Sequence, residues 1–164
     1  MRIPHFIKHN RGSGTPQHAI FFDTETIGKV IDDDTIEATL NFGYACYVRR
    51  IKRGKWSAPK WARFTSPDAF WAFVHQWVKP KRRLYIFAHN LGFDLAQVKG
   101  FGHLQSQGWE CTSRIIAPKV LNLTYRKDGA SIRLVDTFNY YPMALKALGD
   151  MVGLEKYDFP NDSD

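Results

Sequence analysis

The chain has 164 residues, of which 44% are hydrophobic and 24% charged. That is one domain's length at an ordinary globular composition, which excludes a disordered tail, a collagen-like rod and a small disulfide scaffold. Lys and Arg number 23 against 16 for Asp and Glu, a net charge of +7. Polyanions are therefore the first partners to consider, beside the plainer reading of a soluble basic surface.

Residues 1–17 are basic and polar, broken by Gly12, Gly14 and Pro16, and read as an arm. The start, Met1-Arg-Ile-Pro-His5, carries no apolar stretch of signal-peptide type. No apolar run approaches ~20 residues, so no membrane span is expected. Cys46 and Cys111 are far apart with no CxxC pair. That argues against a cysteine zinc site and for reduced thiols in the cytoplasm.

His18-Ala-Ile-Phe-Phe-Asp-Thr-Glu25 is a short apolar run stopping on acids, which predicts a buried strand with carboxylates at its C-terminal end. Residues 28–38, with Gly28 and Asp32-Asp-Asp34, predict a solvated hairpin turn. Phe42, Tyr44, Cys46 and Val48 recur at period two in a second strand, Leu40 to Arg50, followed by a basic turn. Trp61 to Phe64 predicts a third, shorter strand. Ser66-Pro67-Asp68 is a helix start, and Phe70, Phe73, Val74 and Trp77 form one apolar helical face. Pro80 ends that helix.

Leu84 to Ala88 is another buried-strand pattern, leading through His89-Asn90-Leu-Gly-Phe93-Asp94 to a helix predicted over 94–106. Residues 109–136 predict two or three antiparallel strands turning at Lys127-Asp-Gly129. Pro142 to Val152 predicts a helix with Leu145, Leu148 and Val152 inward and Gly153 as its stop. The mixed order fits an α/β sheet with helices packed on it.

Asp23 and Glu25 are two residues apart on a strand, so both side chains share one face. Paired carboxylates raise each other's pKa unless a cation sits between them, and hard oxygen donors suit Mg²⁺ or Mn²⁺. Asp94 lies at a second strand–helix boundary and reaches a shared metal if the two strands are neighbours.

Phe22-Asp23-Thr24-Glu25-Thr26 and His89-Asn90-x-x-Phe93-Asp94 resemble the first two exonuclease motifs of the DEDD nucleases. More closely, they resemble the proofreading domain of family B DNA polymerases, which has an RNase H-like fold. Asp136-Thr137-Phe138 and Lys156-Tyr-Asp-Phe159 are similar to the single-strand-contacting and lysine motifs of its protein-primed, viral and plasmid-type branch. The resemblance spans residues 18–160. It implies an RNase H-like mixed sheet flanked by helices and a 3′→5′ exonuclease acting on single-stranded DNA in replication.

On that resemblance Asp23, Glu25 and Asp94 hold two Mg²⁺ or Mn²⁺ ions. Thr26, Asn90, Phe93, Thr137 and Phe138 bind the 3′ end, and Lys156 faces the scissile phosphate. The remainder of a polymerase becomes an expected partner, and a virus or mobile element an expected source. The family's third motif, Tyr-x-x-x-Asp, has no counterpart here. Tyr157-x-x-x-Asn161 has the spacing without the acid, and residues 161–164 form a tail in which Asp162 and Asp164 are weak substitutes. Two other readings stay open: a non-catalytic module gripping single-stranded nucleic acid or a protein, and an RNase H-like ribonuclease acting on RNA.

Overall fold

The computed structural model describes residues 14–32, 35–52, 54–117 and 120–154. Lys156, the tail and most of the arm lie outside the described residues, as does the tip of the turn at 33–34. Strands β1 (His18–Asp32) and β2 (Thr35–Lys52) form a long antiparallel hairpin. Two short strands, β3 (Lys55–Trp56) and β4 (Lys60–Phe64), both pair with β2. Helix α1 (Pro67–Trp77) then crosses to β5 (Arg83–Ala88), which lies parallel to β1.

Helices α2 (Leu91–Gln97) and α3 (Gly100–Ser106) lead to β6 (Glu110–Ala117), β7 (Val120–Lys127) and β8 (Ala130–Asp136). A 3-10 turn, Thr137–Asn139, precedes the last helix, α4 (Leu145–Met151). The eight-stranded sheet has the order β3-β2-β1-β5-β8-β7-β6, with β4 beside β2. Among the described strands, only the β1–β5 and β5–β8 pairs are parallel.

One face of the sheet carries the core. Ile20 and Phe22 of β1, Leu84 and Ile86 of β5, and Ile132 and Leu134 of β8 are buried there. Phe22 meets Phe70 of α1 at 4.6 Å between ring centroids. Ser66 caps α1, its hydroxyl accepting from Ala69 N at 3.2 Å, with Pro67 in the first turn. Trp71, outside the predicted stripe, is also fully buried, and its indole N–H donates to the Val98 carbonyl at 2.8 Å. That bond relieves the cost of burying a polar donor and ties α1 to the end of α2.

Several expectations need correction. β1 does not end on its carboxylates: its parallel pairing with β5 stops at Phe21–Phe87, but antiparallel pairing with β2 continues to Asp32. In β2, Gly43, Ala45 and Tyr47 are buried under the helices, while of the apolar series Cys46 is buried and Phe42, Tyr44 and Val48 are half-buried. The predicted basic turn also contains β3, paired through Arg50–Trp56 and Lys52–Lys55.

The helix predicted over 94–106 is two helices beginning earlier, at Leu91. Lys99 in the left-handed region (φ 50°) separates them, and a Cβ on Gly100 would lie 2.2 Å from Leu95 Cδ1. Leu145 and Val152 are 48% and 70% exposed rather than inward, and no residue of α4 is buried. The described chain offers that helix little to pack against. The turn at Asp128-Gly129 is as expected, with both residues at positive φ as a two-residue hairpin of this hand requires.

Gly43 fixes how closely β2 approaches its neighbours. A Cβ there would stand 2.3 Å from Phe64 Cζ and 2.6 Å from the Asp23 carbonyl oxygen. Gly43→Ala is expected to destabilise the protein by about 1–3 kcal/mol through overpacking. Urea unfolding checks this, and an unchanged midpoint would mean that the strand yields at no cost.

Candidate functional site

The carboxyl ends of the parallel strands β1, β5 and β8 come together at one end of the sheet. In open α/β sheets that end is the usual place for a ligand. Phe21 pairs with Phe87, and Ala88 with Asp136, so Asp23, Asn90 and Asp136 each lie within three residues of this line. β1 and β5 are neighbours, as Asp94 needs to approach β1, and its hydrogen bonds go to the residue between the two β1 acids.

The contact runs through a residue that the motif reading passed over. Asp94 is 2% exposed, and its Oδ1 accepts from the Thr24 backbone N–H at 3.1 Å and from the Thr24 hydroxyl at 2.6 Å. Thr24 points to the opposite face from Asp23 and Glu25, toward α2. It therefore joins the first motif to the second. The signal in the sequence was a hydroxyl residue between two acids on a strand, next to a strand–helix boundary carrying a third.

Burial pushes the Asp94 carboxyl up to about 7 from 3.8. The Thr24 hydroxyl and N–H oppose the rise, whereas the Asp23 and Asp136 carboxylates add to it. Three acids from β1, α2 and β8 thus sense one another.

Asp136 caps the turn that follows it. Its Oδ1 accepts from Phe138 N at 2.9 Å and from Asn90 N at 3.0 Å. Asn90 sits at the start of α2 in the left-handed region (φ 71°), which asparagine tolerates, and its side chain makes no capping bond. Its exposed amide and the 41% exposed ring of Phe93 are open to a ligand.

Thr137 is already engaged: its hydroxyl donates to the Ala88 carbonyl at 3.0 Å and bonds His89 Nδ1 at 3.1 Å. His89 Nε2 in turn donates to the Met143 carbonyl at 2.7 Å, and Phe138 packs edge-on against His89 at 5.3 Å. Thr26 is half-buried beyond a register shift that leaves Asn41 of β2 unpaired, because Glu25 faces Phe42 but Thr26 faces Leu40. Glu25 shares the Asp23 face by strand alternation. An apolar hollow of about 240 Å³ opens on that face, lined by Phe21, Asp23, Phe87, His89, Thr137 and Leu145 among others.

Among the described residues, no three His, Cys, Asp or Glu groups stand close enough together to hold a metal ion. The donor chemistry suits a hard cation, since the exposed Asp23, the half-buried Glu25 and the buried Asp94 all offer carboxylate oxygens, although Asp94 bonds Thr24 on the opposite face of β1. No helix among the described residues is long and apolar enough to cross a membrane.

A mixed eight-stranded sheet with helices packed on it, its acids at the carboxyl ends of the parallel strands, is an RNase H-like arrangement. Among solved structures the chain is similar to Phi29 DNA polymerase. Against that enzyme complexed with single-stranded DNA, the TM-score is 0.56 at 18% identity, over 91% of this chain and 26% of that one. Against its post-translocation binary complex with primer-template DNA, the TM-score is 0.53 at 19% identity, over 90% and 25%. The likeness is one of fold, and the chain spans about a quarter of the polymerase's length. No protein-family model matches, and no curated protein matches in sequence.

Proposed function

We propose that this chain is a metal-dependent 3′→5′ exonuclease domain of the proofreading type, acting on single-stranded DNA. The observation that carries the reading is the Thr24–Asp94 contact, which sets the two acidic motifs side by side at the carboxyl ends of β1 and β5. The likeness in fold to a polymerase solved with single-stranded and primer-template DNA supports it.

In this reading Asp23, Glu25 and Asp94 would hold Mg²⁺ or Mn²⁺. Bound divalent ions in such sites lower the pKa of water and stabilise the leaving oxygen. Asn90 and Phe93 present an amide and a ring to the terminal nucleotides, and base stacking on such rings tolerates any sequence. Phe138, steadied by His89, offers a second aromatic edge. Thr137 acts through the strand ends that it joins, since its hydroxyl is committed to Ala88. Lys156 would neutralise charge on the scissile phosphate.

The test is degradation of a labelled single-stranded oligonucleotide with Mg²⁺ or Mn²⁺, beside the Asp23→Ala, Glu25→Ala variant. Trimming from the 3′ end that falls by about 100-fold or more in the variant is expected from the loss of ligands to the ions. No trimming by folded protein would leave a binding module of the same fold. Preference for RNA of equal length would make the enzyme a ribonuclease.

A further inference from the structure

At the end of the sheet opposite the carboxylates, a trough of about 580 Å³ is lined by Lys81, Arg82, Arg83, Arg126 and Lys127, against two acids. A second hollow of about 220 Å³ shares Lys81, Arg82, Arg83 and Tyr85 with it and extends toward residues 14–18. We infer that this basic trough is a second nucleic-acid site, gripping the phosphate backbone of a single strand and feeding it toward the acidic end. The inference deepens the function proposed above and rests on that reading for the identity of the polymer.

The trough is built, not draped. Lys81, in the left-handed region, donates its N–H to the Gly129 carbonyl at 2.8 Å, and Ser131 N donates to the Arg82 carbonyl at 3.1 Å. These bonds stitch the turn before β5 to the β7–β8 hairpin, so both groups of cations sit on one rigid rim. The Lys127 ammonium is held in place by the Gln107 carbonyl at 2.5 Å. Two histidines flanking the trough register its positive field. Burial is the larger cause holding each below the usual imidazole range, but Arg82 and Arg49 lower His18 further, and His103 and Lys127 lower His75.

Extent and direction favour a polymer over a small anion. From the trough an aromatic row runs along the face of the sheet opposite the core, with Tyr85 and Phe87 half-buried and Phe21 exposed. Arg133 lies 5.9 Å over the Tyr85 ring, Tyr85 stacks on Phe87 at 6.1 Å, and Phe87 on Phe21 at 5.1 Å. Phe21 is 48% exposed, and Asp23 follows two residues later on the same face. Arg83 and Ala88 are the first and last residues of β5, so trough and acids are separated by roughly 16 Å along the strands. Cations at one end, stackable rings between and acids at the far end match a single strand with its bases on the rings.

The experiment uses the Asp23→Ala, Glu25→Ala chain in EDTA, so that binding is read without cleavage. Anisotropy of a labelled oligothymidylate of about 20 nucleotides is followed between about 50 and 200 mM salt. The triple variant Arg82→Glu, Arg83→Glu, Arg126→Glu is expected to bind at least about tenfold more weakly, with a salt slope smaller by roughly 0.7 for each phosphate no longer neutralised. The milder Arg82→Gln, Arg126→Gln pair should show the same trend with an unchanged circular dichroism spectrum. Affinity within about twofold of the parent in both variants would overturn the inference, since taking cations away from bound phosphates must weaken binding. So would equal competition by polyglutamate, which points to an acidic protein, or equal affinity for a duplex. Trimming is scored separately on the unsubstituted chain and bears on the nuclease reading alone.

Discussion

Asp94→Asn is expected to stabilise the metal-free protein by up to about 4 kcal/mol at about pH 8 and by almost nothing at about pH 4. The cause is the buried carboxyl, held at about 7 instead of 3.8 by burial and by its neighbours Asp23 and Asp136. Between those values the native protein keeps a proton that the unfolded chain has released. The native state binds more protons there, so this group's contribution to stability falls as pH rises through the window and is level above it. At about 1.36 kcal/mol per pH unit the interval amounts to roughly 4 kcal/mol.

Asparagine keeps an oxygen for the Thr24 N–H and hydroxyl while removing the charge, so the variant escapes the penalty. For a chain of this size the gap corresponds to roughly 10 °C in Tm at about pH 8, measured in EDTA. Excess Mn²⁺ should raise the Tm of the unsubstituted protein more than that of the variant, because a cation favours the ionised carboxylate. Equal Tm values at about pH 8 would show that Asp94 ionises without cost, contrary to its burial.

What the sequence disclosed depended on how locally each feature is determined. The α1 cap at Ser66, the Asp128-Gly129 hairpin and the buried strand β5 are written in adjacent residues, and all three stand where they were expected. The long extension of β1 and β2 was not legible, because Ile27, Val30, Ile31 and Ile36 all stay exposed there and mark no buried face. The helix-covered face of β2 was equally hidden. Gly43 is small because Phe64 crowds it, so the period-two apolar series marks only the other face.

The site shows the same division. Sharing of a face by Asp23 and Glu25 follows from strand alternation, and the neighbouring of β1 and β5 brings Asp94 to Thr24, on the opposite face of β1. The part played by Thr24 depends on a contact across 70 positions of the chain. No spacing rule within one motif reveals such a contact. Asp136 combines the two cases: its cap of the 3-10 turn is local, whereas its acceptance of the Asn90 N–H and its effect on Asp94 arise from the parallel register of β5 and β8.

Thr24→Val tests the joint between the motifs directly. Valine fills nearly the same outline but cannot donate to Asp94 Oδ1, leaving that oxygen only the backbone N–H at 3.1 Å. A hydrogen bond to a buried charge is worth about 1.5–3 kcal/mol, and one to a neutral acid about 1 kcal/mol. The variant should therefore lose roughly 2–3 kcal/mol at about pH 8, where Asp94 is largely ionised, and roughly 1 kcal/mol at about pH 5. The hydroxyl also holds the carboxyl down, so its loss must move the Asp94 titration above about 7. Any trimming activity that needs the ionised acid should then begin at a higher pH, a shift that mere loosening of the fold would not produce. Thr24→Ser, which restores the donor, should recover both the stability difference and the pH profile. Equal destabilisation by valine at the two pH values would show that the hydroxyl packs against Asp94 without favouring its charge.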